Sequence, residues 1–243
     1  MIEAGSSDSG RGARAARRAG GHGVARGPRH TGDLRERLLQ SGERRLAERP
    51  ATELSVSELC REAGVSHGAF RSLFRDRGEL LGAVFDRLVA RVQAEMTAAH
   101  DAEPCWVDAV RAALGALLCF LDREPGLARF LLVDSLKSDP ALLARRGAVL
   151  AAVAQTLDAR APAHADGVAS ASFGGAAVVT AVASLLHGRL LAQGDERAAL
   201  SELRGSLMGM IVMPYLGVEA TRGELSRHAR RDDDQTGDPR GGA

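Results

Sequence analysis

Residues 55–74 carry an amphipathic helical pattern that is interrupted halfway by Ala-Gly-Val-Ser at 63–66. Gly64 can adopt a positive φ without steric cost, so the interruption predicts a sharp turn between two short helices. Ser55 and Ser66 each precede a helical segment, where a hydroxyl oxygen can accept a hydrogen bond from a free backbone N–H group. The chain is therefore expected to change direction at Gly64 rather than continue as one helix.

A third amphipathic helix precedes this pair. Leucines recur at three- and four-residue spacing between Asp33, a capping residue, and Pro50. Phe70 and Phe74 fall on one face of the segment after the turn, and we expect them to pack against the first two helices. Three short helices arranged in this way predict a helix-turn-helix within residues 33–80, a motif whose last helix enters the major groove of DNA.

The opposite face of that last helix has a composition that suits DNA recognition. Gly68 and Ala69 are small enough to let the backbone approach, while His67 and Arg71 can donate hydrogen bonds to bases or phosphates. An ordinary helical hairpin with a solvated polar face has a similar pattern, so both interpretations stay open at this point. The candidate DNA-contacting residues, with neighbouring hydroxyl and basic side chains included, are Ser55, Ser57, Ser66, His67, Gly68, Ala69, Arg71, Ser72, Arg75 and Arg77.

The rest of the chain also has helical periodicity, and no stretch alternates apolar and polar residues as a strand does. Aromatic residues make up only 3% of the chain, so its core must be built from Ala, Leu and Val, as in packed helices. Pro104, Pro125 and Pro140 stand where helices can begin. The predicted fold class is all-α, with helices near 105–122, 125–137, 139–160, 166–193 and 196–216.

Both ends of the chain lack the large apolar side chains that a packed core needs. Residues 1–32 are rich in Gly, Arg, Ala and Ser, and they are predicted to form a disordered basic arm. Residues 221–243 are predicted to form a disordered tail. The arm either adds electrostatic contacts along DNA or is simply a solvated tail.

Several classes of protein are disfavoured by the sequence. Residues 167–188 contain no Asp, Glu, Lys or Arg, but Ala, Gly, Ser and Thr dominate them, which favours a packed helix over a membrane span. Cys60, Cys105 and Cys119 have no metal-ligand spacing, and we expect no disulfide, metal or cofactor. We find no catalytic motif and expect no signal peptide. The sequence thus predicts a cytoplasmic protein that is not an enzyme.

The stretch LSVSELCREAGVSHGAFRSLFRDRGELLGAVFDRL, residues 54–88, resembles the DNA-binding domain of TetR/AcrR-type transcriptional regulators. The resemblance covers the small cap of the second helix, the AGVS turn, the recognition helix, and the Phe, basic residue and Leu-Leu pair that lead into the fourth helix. The sequence departs from the family pattern at three positions. Ala69 stands in place of a usual Thr, Arg71 in place of a phosphate-contacting Tyr, and Gly78 in place of a common acidic residue.

The resemblance implies a helical regulatory domain over residues 81–220 that encloses a small-molecule cavity and forms a homodimer through the last two helices. It also implies a regulator, most simply a repressor, that binds a palindromic operator in double-stranded DNA and is released by its ligand. An all-α interaction or adaptor module without operator binding is the alternative. The candidate ligand-lining residues, which also suit core positions, are Trp106, Phe120, Phe130, Phe173, His187 and Met208.

Overall fold

The computed structural model describes residues 28–137, 139–162, 174–192 and 199–236. Every regular element in these ranges is helical, which confirms the all-α prediction. Short 3-10 turns lie at Ala51–Glu53, Asp134–Leu136 and Leu200–Leu203. The α-helices are α1 (Pro28–Glu48), α2 (Val56–Ala63), α3 (His67–Leu73), α4 (Arg77–Asp101), α5 (Trp106–Arg123), α6 (Pro125–Leu132), α7 (Pro140–Arg160), α8 (Gly175–Ala192) and α9 (Arg204–Thr236).

Helices α1 to α3 form a helix-turn-helix around a core of large apolar side chains. Gly64 has φ 60° and ends α2 in the left-handed conformation that the sequence predicts. The hydroxyl oxygen of Ser55 accepts a hydrogen bond from the N–H of Glu58, and that of Ser66 accepts one from the N–H of Ala69. These caps define where α2 and α3 begin, because each satisfies a backbone donor that has no partner within its helix.

Helix α4 connects the two parts of the protein. Its first half packs with α1–α3 through Leu80, Val84 and Phe85. Its second half reaches a separate core through Val92, together with side chains of α5, α8 and α9. Helix α4 is one continuous helix of 25 residues, so it links the two cores directly.

Helix α7 lies alongside α4 and runs in the same direction. Arg145 of α7 pairs with Asp86 of α4, and further along both helices Arg160 pairs with Asp101. The two contacts are separated by the same number of residues on each helix, which shows that α4 and α7 run parallel. This pair of helices forms two walls of the cavity described below.

The structure corrects the predicted start of the folded region. Helix α1 begins at Pro28, so residues 28–32, which the sequence assigns to a disordered arm, are helical. Proline is favoured at the first helical position because the N–H that it lacks has no partner there. Residues 1–27, the remainder of the predicted arm, lie outside the described part of the chain.

The structure also corrects the predicted tail, because α9 extends through residues 221–236 with a break at Gly217, where φ is 78°. Beyond the break the chain folds back, so that Leu225 lies against Gly209. The carboxylate of Glu224 accepts two hydrogen bonds from Arg111, at 2.6 and 2.9 Å. Composition alone does not predict this helix, because tertiary contacts hold it in place.

Candidate functional site

The exposed side of α3 presents two basic side chains to solvent. His67 and Arg71 lie four residues apart, on one face of the helix, and both are exposed. Neither forms a hydrogen bond or an ion pair with the residues that the structure describes. Nothing lies within 4 Å of the position that a Cβ of Gly68 would take, so the backbone there is open to approach. This surface keeps its donors free for a partner.

The predicted hydroxyl contacts around α3 are largely engaged in local structure. Ser55 and Ser66 accept the capping hydrogen bonds, and the Ser72 hydroxyl donates to the carbonyl oxygen of Ala69 at 2.7 Å. The Ser66 hydroxyl still has a hydrogen to donate, whereas that of Ser55 donates to the Glu58 carboxylate at 3.1 Å. Ser57 is exposed on α2. Ala69 is half-buried against the helix-turn-helix core.

The two arginines that follow α3 differ in their surroundings. The Arg75 side chain is 86% exposed and pairs with Glu79. Hydrogen bonds from the backbone N–H and the side chain of Arg75 lower the pKa of Glu79. Arg77 instead donates from Nη1 to the carbonyl oxygens of Leu54, at 2.9 Å, and Thr52, at 3.3 Å. Its guanidinium joins the start of α4 to the segment before α2, so Arg77 positions the motif.

The acidic side chains of α2 pair with arginines that lie in α1 or directly after it. Glu62 accepts hydrogen bonds from Arg44 at 2.8 Å and Arg45 at 2.5 Å. Burial raises the pKa of Glu62, but these hydrogen bonds outweigh it and hold the pKa below its usual value. Glu58 pairs more loosely with Arg49, at 3.9 Å. Helix α3 itself carries no acidic residue, so its exposed surface is positive.

Gly78, where the sequence departs from the family pattern, allows a close approach of α7. A Cβ at this position would overlap with the Asp139 carboxylate and lie 3.2 Å from Oδ1 of Asp76. Asp139 caps α7 by accepting from the N–H of Leu142 at 3.0 Å. Asp76 caps α4 by accepting from the N–H of Glu79 at 2.8 Å. An acidic side chain here would be repelled by both carboxylates, which explains the glycine.

A cavity of about 460 Å³ lies between α4, α5, α7 and α8, within the size range of small-molecule sites. Apolar side chains such as Phe85, Met96 and Trp106 form most of its wall. No acidic side chain lines it in the described part of the chain, and the described residues contain no cluster suited to a metal ion. Its polar lining residues are Gln93, Thr97, His100, Arg146, Thr156 and Arg160.

Most of the predicted ligand-lining residues do not border this cavity in the described part of the chain. Of the predicted ligand-lining residues, Trp106 borders the cavity. His187 does not border the cavity. Its Nδ1 lies 2.8 Å from the carbonyl oxygen of Leu132, within hydrogen-bonding distance. Phe173 lies outside the described residues.

Three further predicted lining residues are core residues instead. Phe120 and Phe130 are fully buried, Met208 is 2% exposed, and none of the three borders the cavity. Phe130 packs edge-on against Phe85, and the guanidinium of Arg91 lies over the Phe120 ring at 4.7 Å. Residue type identifies large apolar positions, but it does not say whether they face a void or another side chain.

Sequence reasoning missed the basic residues of the cavity wall. Arg146 and Arg160 lie on α7 at the two ends of an apolar stripe that includes Val149, Val153 and Leu157. An apolar helical stripe bounded by arginines was the available signal. It is weak, because surface helices often have the same pattern.

Helix α8 leaves a stripe of mostly small side chains uncovered. Thr180, Ser184, Gly188 and Leu191 are exposed at helical spacing, and Met213 on α9 is 55% exposed. Among the described residues, α8 is the helix long and apolar enough to span a bilayer by length and composition, and 33% of it is buried. The described chain therefore leaves much of an apolar helix without a cover.

Comparisons with known proteins give matches in structure. No protein-family model and no curated protein matches the sequence. The regulator FadR from Bacillus subtilis, in complex with stearoyl-CoA, matches with a TM-score of 0.59 at 14% identity, over 75% of this chain and 98% of that one. A TetR transcriptional regulator from Rhodococcus sp. RHA1 has a TM-score of 0.53 at 18% identity, over 75% of this chain and 95% of that one.

A transcriptional regulator from Aquifex aeolicus VF5 matches with a TM-score of 0.50 at 18% identity, over 72% of this chain and 95% of that one. Identities this low establish the fold. The helix-turn-helix at the N-terminal end, the long connecting α4 and the helical remainder agree with it in order. The chain has the all-helical fold of the TetR/AcrR-type transcriptional regulators.

Proposed function

We propose that this protein is a transcriptional repressor that binds a palindromic DNA operator as a homodimer and is released by a small molecule. The observation that carries the proposal is that His67 and Arg71 are exposed, have no partner among the described residues, and lie on an α3 without an acidic residue. Side chains at the start of a recognition helix reach base edges and phosphates in the major groove. Arg75 adds positive charge beside them, and Arg77 holds the motif in shape.

The uncovered stripe on α8 supports dimerisation through the last two helices. Thr180, Ser184 and Gly188 are small, so a second copy can approach closely, and Leu191 and Met213 add apolar area to bury. A dimer places two α3 helices on one DNA molecule. The binding energies of two half-sites then add, which gives a short helix enough specificity for an operator.

The course of α4 supports a response to a ligand. The helix begins beside α3 and lines the cavity from Phe85 to His100. A ligand that displaces α4 changes the separation of the two recognition helices in the dimer, so they no longer match their half-sites. The FadR structure holds stearoyl-CoA, and we extend the general idea of a bound small molecule to this helical domain.

The proposal makes the protein a cytoplasmic, non-enzymatic regulator. In it, α8 is an interface helix between two copies rather than a membrane span. The uncharged, small side chains of its exposed stripe suit helix–helix packing, since they let backbones come close.

The proposal is tested by selecting sequences from a random pool of double-stranded DNA with the full chain. We expect a palindromic motif to be enriched. The double variant His67→Ala, Arg71→Ala is expected to lose about tenfold or more in affinity for that motif, because charged or bidentate base and phosphate contacts are lost. Fluorescence anisotropy with a labelled duplex measures the affinity.

The matched control is Arg222→Ala, which removes one exposed arginine from α9 that pairs only locally with Glu219. This variant should bind DNA like the wild type. If no sequence is enriched at low salt while circular dichroism shows a folded chain, the repressor proposal is wrong. The helix-turn-helix would then be the scaffold of an interaction or adaptor module.

A further inference from the structure

The cavity wall is positively charged. Arg146, Arg160 and His100 line it, and none of the described lining residues is acidic. The rest of the wall is mainly apolar, so water solvates these groups less well than it would at a surface. A neutral apolar ligand would therefore bring no negative charge to the lining arginines.

The two arginines differ in their partners. Arg160 Nη1 lies 2.9 Å from Nδ1 of His100 and 3.3 Å from Oδ1 of Asp101, so its guanidinium is engaged. Arg146 forms no hydrogen bond or ion pair with any described residue. It is half-buried, and burial lowers the pKa of its guanidinium from the usual value. A partly desolvated cation without a partner is unfavourable until an anion joins it.

Arg146 and Arg160 lie at opposite ends of the cavity, so the two ends differ. It follows Arg145, which pairs with Asp86 on α4, so Arg146 lies at the end of the cavity nearer the helix-turn-helix. Arg160 lies at the other end, roughly 20 Å further along α7 at the usual rise of an α-helix. Between them, Val149, Val153 and other apolar side chains line the wall. At the near end lies Arg146, which has no partner among the described residues, and a mainly apolar channel lies beyond it.

We propose that this cavity binds an amphipathic anion, with a carboxylate or phosphate head group on the Arg146 guanidinium and an aliphatic body along α4 toward His100. Guanidinium groups pair with both head groups through two parallel hydrogen bonds, which supplies orientation as well as affinity. The proposal rests on the proposed function only in taking this cavity as the effector site of the regulator. It goes further in assigning the ligand class and the residue that selects it.

The pairing also suggests how the head group acts on the DNA-binding end. Arg145 links α7 to α4 through Asp86, and its side chain lies 3.1 Å from the position that a Cβ of Gly82 would take. An anion on Arg146 therefore binds one residue away from an ion pair that joins α7 to α4. The body of the ligand fills the channel, while the head group sits where it can shift this contact.

The test uses the fluorescence of Trp106, which lines the cavity and is the single tryptophan of the chain. The full chain is titrated with palmitate, hexadecyl phosphate and hexadecanol, which share an aliphatic body and differ in the head group. We expect at least one anion to bind about tenfold or more tightly than the alcohol, as a charge-assisted contact requires. Comparing the two anions shows which head group the site prefers.

Two variants assign the effect to one arginine. Arg146→Met keeps an unbranched side chain but removes the charge, and it should abolish the preference for anions over hexadecanol. Arg160→Met, at the other end of the same helix, should retain that preference. Circular dichroism melting curves confirm that both variants fold, and Arg146→Lys should restore part of the preference because it restores the charge.

The proposal is overturned if wild type binds all three compounds equally, if none binds, or if Arg146→Met retains the anion preference. These titrations contain no DNA, so they give the same answer whether or not the chain recognises an operator. Failure of operator selection with intact anion binding would reject the regulator. Intact operator binding without anion preference would reject only this ligand class.

Discussion

At the residue scale, glycines determine how closely the helices of the helix-turn-helix approach the rest of the chain. A Cβ on Gly126, at the start of α6, would overlap with the backbone carbonyl of Ala47 at the end of α1. Nearby, the buried carboxylate of Asp134 accepts a hydrogen bond from the N–H of Ala51 at 3.0 Å. The end of α1 is thus fastened to α6 by a contact that only glycine permits. Gly78 has a similar role where α4 meets the cap of α7.

The contact at Gly126 predicts the outcome of a single substitution. Gly126→Ala should lower the free energy of unfolding by about 1–3 kcal/mol, because a backbone atom cannot move aside as a side chain can. Gly147→Ala is the matched control, since nothing lies within 4 Å of its Cβ position in α7. It should stabilise the protein by up to about 1 kcal/mol through higher helix propensity. Urea unfolding followed by circular dichroism measures both; an unchanged Gly126→Ala would contradict the close contact.

At the element scale, the break at Gly217 divides α9 into two helical parts that lie side by side. The second part has few large apolar residues, and its main anchor is the buried carboxylate of Glu224, held by Arg111 of α5. Leu225 adds a contact with Gly209 of the first part. The second part therefore depends on an ion pair more than the other helices do.

The anchor predicts that Glu224→Gln loosens the chain beyond Gly217 without unfolding the remainder. Loss of a charge-assisted pair should lower the local free energy of opening by roughly 1.5–3 kcal/mol. Amide hydrogen exchange by mass spectrometry should then be about tenfold or more faster in residues 218–227 and unchanged in α5. Glu219→Gln, at a side chain that is 85% exposed, is the control and should leave exchange unaltered. Equal exchange in both variants would show that Arg111 does not anchor this segment.

At the scale of the whole molecule, two cores share one long helix. The first core holds α1–α3 and the start of α4, and the second gathers α5, α8 and α9 around the end of α4. The α8 stripe of Thr180, Ser184, Gly188 and Leu191 is exposed and belongs to neither core. In the proposed dimer, a second copy that covers α8 would place two α3 helices in one particle, so assembly and DNA binding would be coupled.

This coupling predicts that one substitution on α8 changes both properties. Ser184→Arg places a long charged side chain in the exposed stripe, and it should convert a dimer into a monomer in sedimentation equilibrium. Its affinity for the selected operator should fall by about tenfold or more, because the second half-site is lost. Gln155→Arg, an exposed position on α7 outside the stripe, is the control. A Ser184→Arg chain that remains dimeric would place the interface elsewhere.

The helix-turn-helix was predictable because its signals are local. The positive φ of Gly64, the caps at Ser55 and Ser66, and the aromatic face at Phe70 each depend on residues a few positions apart. Such short-range rules fix a turn and its flanking helices wherever the chain later packs. The exposed His67 and Arg71 followed directly from that arrangement.

The rest of the site was decided by contacts between residues far apart in sequence. From the sequence, Arg77 is expected to be a free cation, but in the structure it donates hydrogen bonds to the carbonyl oxygens of Leu54 and Thr52. Phe120 looks like a pocket residue until neighbouring helices bury it completely. Arg146 looks like a surface residue, yet the packing of α7 beside α4 places it on a cavity wall.

The sequence by itself determined that this chain is helical, where α3 begins, and which side chains α3 exposes. Periodicity, caps and a single glycine suffice for these, because each acts within one or two helical turns. Only the tertiary structure decided which apolar residues fill a core, which line a cavity, and which lining cation has no partner among the described residues. Those properties depend on the spaces between helices, and no local pattern encodes a space that several distant segments enclose.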